Sequence, residues 1–305
     1  MDKIQQKLLE EVAGIHEVPE GAYSLRINGQ LHGKNSSEHI EIVKKEDKPG
    51  IDIYIQAGTK NESLHIPVIL SQSGLRELVY NDFHVGEDCD VTIVAGCGIH
   101  NGGSETSEHS GVHSFYLSKN AKVKYIEKHY GQGDGNGKNV MNPHTHVELA
   151  EGARLEMETA QIKGVDSTKR TTTAKVSKNA TLIVHEKIMT HGTQFAETEF
   201  EVELNGENSG AHVISRSVAR DESSQKFVSR VKGNAKCTGH TECDAIIMDG
   251  ATVIAVPEIM AVHPDASLIH EAAIGKIAGE QLVKLMTLGL TEKEAEEEIV
   301  NGFLR

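Results

Sequence analysis

Tryptophan is absent from this chain of 305 residues, and aromatic residues amount to only 4% of it. A core without large rings has to be built from Val, Ile, Leu and Ala, and such a core favours stacked aliphatic strands. With 38% hydrophobic and 25% charged residues, the chain is nevertheless globular rather than disordered. The expected fold class is therefore mainly β.

Long apolar runs are also missing. No stretch approaches the ~18 consecutive apolar residues that a membrane-spanning helix needs, and Met1–Lys7 lacks the apolar region of a signal peptide. The net charge is -14, with acidic residues spread along the whole length and no basic stripe. We therefore expect a cytoplasmic protein that does not insert into membranes and does not bind nucleic acid.

Cysteine is scarce. The four cysteines, Cys89, Cys97, Cys237 and Cys243, contain no Cys-x-x-Cys pair, which excludes a zinc ribbon and a thioredoxin-type motif. In a reducing compartment such thiols stay free. We therefore expect reduced cysteines and no disulfide.

A repeated phrase begins near Asp82, and it consists of a polar turn, a small residue and an alternating strand. Six copies have alanine as the small residue, and the spacings between successive alanines are close to multiples or halves of one period (Ala121, Ala153, Ala180, Ala235, Ala251 and Ala266). Such units indicate a solenoid, because each must bury its apolar face against a neighbour. We predict a right-handed parallel β-helix. A β-sandwich is the alternative, since its strands also recur every ~8–12 residues.

Segments of different character flank the repeats. Apolar residues at helical spacing predict a short N-terminal helix, and a meander of strands follows from Tyr23 to about Leu70. The strand pattern stops near Ile269, where helical spacing begins, and Thr291–Glu294 predicts a capping box for a second helix. The predicted units are an N-terminal α/β segment at 1–70, a β-helix core at 71–268 and a two-helix unit at 269–305.

Two neighbouring segments carry the most chemistry. Gly239–Gly250 places a thiol, Cys243, between two acids and near an imidazole, and Leu268–Gly275 adds His270 and Glu271 about one coil later. Thiolate, imidazole and carboxylate are ligand types that an iron or iron–sulfur centre can use. If the fold stacks these segments, the chain holds a metal centre rather than a substrate pocket.

Strand geometry decides which of these side chains share a face. Cys237 and Cys243 are an even number of residues apart, so both thiols point the same way. His240 and Glu242, further candidate ligands, take the opposite face unless a bulge intervenes. Buried cysteine is often simple packing, which we favour for Cys237. For Cys243 the spacing leaves metal ligand and core residue equally open.

A second Cys/His set surrounds Gly102-Gly103 and consists of Cys97, His100, His109 and His113. Its spacing matches no closed metal site. The intervening Ser, Glu and Gly residues favour a mobile loop over a ligand set.

An ordered run of motifs fills the chain from about Asn142 to Arg305 (Gly239-His-Thr-Glu-Cys-Asp, Ala255-Val-Pro-Glu-Ile, His270-Glu-Ala-Ala-Ile-Gly, Leu288-Gly-Leu-Thr-Glu-Lys-Glu-Ala and Ile299-Val-Asn-Gly-Phe). This run resembles the C-terminal half of the SufB/SufD family, the scaffold proteins of the SUF iron–sulfur assembly system, and the resemblance extends more weakly back to about Pro67. It implies a right-handed β-helix that pairs with a second copy or a SufB/SufD paralogue. It also implies C-terminal helices that dock on the ABC-type ATPase SufC.

The resemblance implies roles for single residues. Cys243 looks like the family's cluster-site cysteine, Glu271 like the glutamate of the SufB-type segment, and His270 like the histidine that SufD-type members contribute. One chain would then supply both halves of the site, which makes a homodimer plausible. The implied cofactor is a transient iron–sulfur cluster passed to client apo-proteins, with iron itself as a further candidate and flavin dependence left open.

The chain departs from the family pattern at Tyr125-Ile-Glu-Lys-His129, where His129 stands in place of the sulfur-accepting cysteine of SufB proteins. The resemblance therefore leaves the sulfur route open between free sulfide, another thiol such as Cys97, and a SufD-like role. Cys97 and His129 are further candidate ligands.

Two other functions stay as alternatives to a non-enzymatic scaffold. A purely structural, SufD-like partner would hold no cluster of its own. A β-helix carbohydrate-active enzyme would need an acid cluster with basic residues in a long groove, and the scarcity of aromatics for sugar stacking argues against it.

Overall fold

The computed structural model describes residues 1–17, 19 and 21–304, which form three helices and twenty strands. The helices are α1 (Lys3–Ala13), α2 (Gly279–Met286) and α3 (Glu292–Phe303). The strands are β1 (Ala22–Ile27), β2 (Gln30–Asn35), β3 (Ile40–Lys44), β4 (Gly50–Ile55), β5 (Lys60–Leu70), β6 (Arg76–Val85), β7 (Asp90–His100), β8 (Ser107–Leu117), β9 (Lys122–Gln132), β10 (Asn139–Met141), β11 (His144–Leu149), β12 (Arg154–Lys163), β13 (Ser167–Val176), β14 (Thr181–Thr190), β15 (Phe195–Leu204), β16 (Ser209–Ala219), β17 (Ser224–Gly233), β18 (Cys237–Ile247), β19 (Thr252–Ala261) and β20 (Ser267–Gly275).

The strands alternate between two sheets that face each other, which confirms the predicted parallel β-helix. One sheet has the order β2-β1-β5-β7-β9-β12-β14-β16-β18-β20, and the other has the order β19-β17-β15-β13-β10-β8-β6-β4-β3, with β11 beside β8 and β13. From β5 onward every neighbouring pair is parallel. After each coil the chain returns to the same sheet, where each residue lies beside its register partner from the previous coil. Asp90 pairs with Lys122 in this way, and Arg154 pairs with Thr181.

The recurrent alanines mark the tight turns between the two sheets. Asn120 and Asn179 precede Ala121 and Ala180 and adopt left-handed backbone conformations with φ of 56°, which Asn tolerates better than most residues. The alanine that follows is fully buried. Turns on neighbouring coils also contact each other, since Asn120 Nδ2 donates to Asp88 Oδ1 at 3.0 Å.

The interior between the sheets is aliphatic at most levels, with an aromatic stack in the N-terminal half. Phe83 and Phe115 are fully buried, and their rings stack with centroids 4.5 Å apart. Tyr125 meets Phe115 edge-on at 4.9 Å. These three side chains fill one layer of the interior, as offset-stacked and edge-on ring pairs commonly do.

Strands of the N-terminal segment belong to the same two sheets as the solenoid. The antiparallel pairs β1–β2 and β3–β4 form its first edge, while β1 and β4 pair in parallel with β5 and β6. Helix α1 begins with a capping box at Asp2 and buries Leu8, Leu9 and Val12 against the outer side of this end. These buried residues lie on the apolar face that the sequence predicted for this helix.

The C-terminal end differs from the prediction in one respect. Strand β20 continues to Gly275 rather than stopping near Ile269. It pairs with β18 without a break, from Thr238–Ser267 to Ile246–Gly275, and this pairing satisfies the backbone hydrogen-bonding groups of both strands. Helix α2 therefore starts at Gly279. The predicted capping box at Thr291 is confirmed, with Thr291 accepting from the Glu294 amide.

The C-terminal helices pack unequally. Val300 and Leu304 of the α3 end are buried against Val218 on the outer wall, whereas no residue of α2, a helix described throughout, is buried. Among the described residues, no helix is long and apolar enough to cross a membrane.

Replacing Phe115 with Ala should lower the free energy of unfolding by about 3–5 kcal/mol, because the change empties a fully buried ring position. The matched control is Phe195→Ala, where the ring is 37% exposed and the loss should stay below about 1 kcal/mol. Equal losses in urea titrations followed by circular dichroism would contradict the proposed core stack.

Candidate functional site

The solenoid ends on strands that have no further neighbour. β20 closes one sheet and β19 closes the other, so one backbone edge of each strand is unpaired in the described chain. Apolar side chains are exposed at this end (Ile254, Val256, Ile259, Met260, Val262, Ile269 and Ile274). An unpaired, apolar strand edge is suited to pairing with another chain.

Cys243 lies inside the solenoid, one coil below this end. Its register partners are Ser215 on β16 and Ala272 on β20, and the side chain is only 1% exposed. Burial raises the pKa of the thiol to about 12, and the nearby Glu186 and Asp244 carboxylates contribute to the rise. Cys243 is therefore a neutral, packed thiol in the isolated chain, and the small Ala272 lies between it and the open end.

His270 lies on the same interior face as Cys243. Its Nδ1 is 2.7 Å from Thr241 Oγ1, and its buried Nε2 makes no hydrogen bond with the described residues. Burial lowers the pKa of His270, which keeps the imidazole neutral at neutral pH. A neutral ring with an unused nitrogen next to the coil end is able to act as a metal ligand.

Glu271 lies on the opposite, outer face of β20. There it meets His240 and Glu242 of β18, and the ligand atoms of the three side chains lie within 4.8 Å of one another. His240 Nε2 is 3.3 Å from Glu271 Oε2, and the His240 ring stacks on His212 with centroids 5.0 Å apart. One imidazole and two carboxylates are a donor set for a divalent first-row metal ion.

Strand β20 therefore divides the three ligands predicted from the sequence. Cys243 and His270 lie on its inner side, and Glu271 lies on its outer side with His240 and Glu242. The alternation expected for Cys237 and Cys243 against His240 and Glu242 is present in the burial pattern of β18. The five candidate side chains of the two strands therefore lie on both faces of the end of one sheet rather than on one face.

Cys97 and His129 lie far from this edge. They are direct register partners on β7 and β9. These strands are five and four strand steps from β18, which corresponds to about 19–24 Å at ~4.8 Å per step. Within the single chain they do not belong to the site around Cys243.

A row of interior polar residues runs from the strand of His129 to Cys243, and it was not predicted from the sequence. Successive register partners along one sheet are Glu127, Thr159, Glu186, Ser215 and Cys243. The signal was available, because Glu127 and Glu186 occupy the inward parity of their alternating strands.

The two acids of this row share Arg170, whose Nε also lies 3.6 Å from Glu186 Oε1, but differ in their other partners. Although burial alone would raise it, the pKa of Glu127 is held well below its usual range by the Arg170 guanidinium, which donates to it at 2.5 Å. Burial raises the pKa of Glu186, which accepts from Ser215 at 2.7 Å and Thr198 at 3.0 Å. The row therefore carries one compensated charge and one carboxyl that is easier to protonate.

Fold and site together describe a parallel β-solenoid with thiol, imidazole and carboxylate side chains on the last two strands of one sheet. The sequence matches the family model described as "SUF system FeS cluster assembly, SufBD core domain" over residues 76–303. The chain belongs to the SufBD family of iron–sulfur cluster assembly proteins.

Similar proteins agree with that membership. An iron–sulfur cluster assembly SufBD family protein of Archaeoglobus fulgidus is 31% identical over 278 residues, which covers 89% of this chain and 72% of the relative. A SufBD family protein of Methanocaldococcus jannaschii is 28% identical, covering 86% of this chain and 83% of the relative. One of Pyrococcus horikoshii is 28% identical, covering 90% and 84%.

The burial of the thiols predicts slow alkylation of the native chain. All four cysteines are buried and free, and a pKa of about 12 at Cys243 leaves little thiolate at neutral pH. Short iodoacetamide pulses followed by peptide mass spectrometry should therefore label none of them, and should label all four in guanidinium chloride. Rapid labelling of Cys243 in the folded chain at neutral pH would contradict this placement.

Proposed function

We propose that this protein is a scaffold that builds or holds a nascent iron–sulfur cluster at the open end of its β-solenoid. The observation that carries the proposal is that Cys243, His270 and Glu271 all lie on β18 and β20, the last two strands of one sheet, with donors on both faces. Membership of the family supports the cluster as the cargo. The donors themselves supply the thiolate, imidazole and carboxylate ligation that iron accepts.

The site is completed by a second subunit. Cys243 and His270 face the interior and Glu271 faces outward, so one chain does not enclose a single ion with all three. A second copy or a SufB/SufD paralogue that pairs along the β19 and β20 edges would cover both sides of the strand. The exposed apolar residues at these edges support this position for the interface.

The chemistry begins with a protonated thiol. Because the pKa of Cys243 is about 12, the thiol becomes a ligand only when a bound cation displaces its proton. The outer triad of His240, Glu242 and Glu271 is the proposed first contact for ferrous iron, since it is accessible and its donors are already close. A cluster with a single thiolate per subunit is held less firmly than one with four, which suits transfer to a client apo-protein.

The C-terminal helices are the proposed docking unit for a SufC-like ABC-type ATPase, in which any ATP hydrolysis would occur. α3 is fixed to the solenoid wall through Val300 and Leu304. α2 and the turn after it expose Val283, Met286 and Leu288, the last by 75%. Such an apolar helix face, attached one short linker after β20, would pass movement of the ATPase to the strand edge.

A purely structural partner without its own cluster is the second candidate. The complete burial of Cys243 within the main core cluster favours it, because packing alone explains a thiol in that position. The two functions differ in whether the assembled protein binds iron and sulfide through Cys243.

The Cys243→Ala variant separates the two candidates. If Cys243 is a ligand, anaerobic reconstitution with ferrous iron and sulfide should give iron and sulfide contents near background, and the charge-transfer absorption of the cluster should be lost. The matched control is Cys237→Ala, which removes a thiol from the same face of the same strand and should leave the cluster intact. Unchanged contents in Cys243→Ala would reject Cys243 as a ligand.

A charged residue at the terminal edge should prevent pairing. Ile269→Lys places an ammonium group at an exposed apolar position of β20, and sedimentation should show a shift from dimer to monomer. The control is Val43→Lys on β3, the terminal strand at the opposite end of the solenoid. A dimer that persists in Ile269→Lys and dissociates in Val43→Lys would place the interface at the β3 end and contradict the proposal.

A further inference from the structure

A small cavity lies in the N-terminal half of the interior, far from the terminal edge. It has room for about one water-sized species, ≈ 10 Å³, and five of its lining side chains carry metal-binding atoms (Cys97, His109, His113, Glu127 and His129). All five side chains are buried. His109 and His113 belong to β8 rather than to the loop that the sequence predicted.

His113 presents an acceptor nitrogen to this cavity. Its Nδ1 lies 2.7 Å from the Tyr125 hydroxyl, whose own proton is donated to Glu127 at 3.0 Å. His113 Nδ1 must therefore carry the ring proton, and Nε2 accepts a hydrogen bond from Asn81 Nδ2 at 3.3 Å, which a bound metal ion would replace. Metal-ligating histidines are commonly oriented by such a hydrogen bond through the other nitrogen.

His109 has the same arrangement with a different partner. Its Nδ1 faces Glu77 Oε2 at 3.6 Å, and these two buried atoms make no hydrogen bond within the described chain. Arg26 holds the other oxygen of Glu77 at 2.6 Å. The carboxylate thus favours the proton on His109 Nδ1 and leaves Nε2 as an acceptor towards the cavity.

Gly111 leaves the space beside the two imidazoles open. A Cβ atom at this residue would lie 3.0 Å from His113 Nε2 and 3.5 Å from His109 Nε2. The acceptor nitrogens of both rings therefore border the same small space. Any side chain at Gly111 would intrude on that space.

Cys97 supplies the third donor from the opposite sheet. The thiol is 1% exposed, and burial raises its pKa well above the usual range, with the Glu77 and Glu127 carboxylates adding to the effect. A bound cation would reverse this by deprotonating the thiol. Both ring nitrogens of His129 already have partners. Nδ1 accepts a hydrogen bond from Arg170 Nη2 at 3.3 Å, and Nε2 lies 3.6 Å from Glu127 Oε1.

We propose that Cys97, His109 and His113 bind one divalent first-row metal ion, Zn²⁺ or Fe²⁺, inside the solenoid and leave a fourth position open. Mixed thiolate and imidazole ligation is characteristic of these ions. Glu77 and Tyr125 orient the two rings through the nitrogens that do not face the metal, and Glu127 holds the Tyr125 hydroxyl. Among the described residues only the outer triad has donor atoms within 4.8 Å of one another, so Cys97, His109 and His113 have to move closer together on binding while the rings keep their Nδ1 contacts.

The site is tested with Co²⁺, whose thiolate charge-transfer absorption reports a sulfur ligand. The reduced, chelator-treated full chain should bind one equivalent with this absorption, and Cys97→Ala should lose the absorption. The outer triad contains no sulfur and contributes none of this signal. Cys243→Ala and Cys89→Ala should retain it. Loss in Cys243→Ala would assign the absorption to the terminal edge and overturn the proposal.

Gly111→Ala provides a second test that leaves every ligand in place. The added methyl group fills the space beside the two imidazoles, so Co²⁺ affinity should fall at least about 10-fold. Apo-protein melting temperatures identify any variant that fails to fold, and Zn²⁺ should raise the melting temperature of wild type by more than that of Cys97→Ala, in which only the outer triad still binds the ion. Absence of the thiolate absorption in wild type would mean that the cavity holds only water, and the proposal would fail.

Discussion

The alternation of side chains along stacked parallel strands is the constraint on which the other features depend. Each strand sends every second residue into a shared interior, and the register repeats that choice in the next coil. A single residue step therefore decides whether a donor is sealed inside the solenoid, as Cys243 is, or accessible on its wall, as Glu271 is. No local adjustment of a side chain moves a donor from one face to the other.

The same alternation determines which charged side chains need a buried partner. An acid at an inward position has no access to water. Glu127 is retained inside by Arg170, and Glu77 by Arg26, each through a direct ion pair. Breaking one member of such a pair leaves an uncompensated buried charge, which costs far more than an exposed pair contributes. Both inward acids that carry a full charge therefore lie where an arginine reaches them from another strand.

The repeat was predictable because its turns require particular residues. The Asn-Ala and Asp-Ala pairs at the turns, together with strict alternation between them, indicated a solenoid, and the shared face of Cys237 and Cys243 followed from parity alone. That this face is the inner one is known only from the structure. The end of β20 was not predictable, since Ala272, Ala273 and Ile274 suit a helix as well as a strand, and pairing with β18 decides between them. The cavity beside Cys97 could not be predicted from the sequence either, because its donors come from opposite sheets. Only the stacking order brings them together.

The two donor groups occupy opposite situations in one architecture. At the terminal edge, donors lie on both faces of β20, where no further coil of the described chain covers them. Around Cys97, later coils have already closed the interior, and the donors have fixed tautomers and a limited volume. A labile cargo fits the first situation, because separating the subunits exposes it. An ion that remains bound fits the second, because it leaves only when packed side chains move. On the two proposals together, the position of a coil within the solenoid would set how readily a bound metal is exchanged.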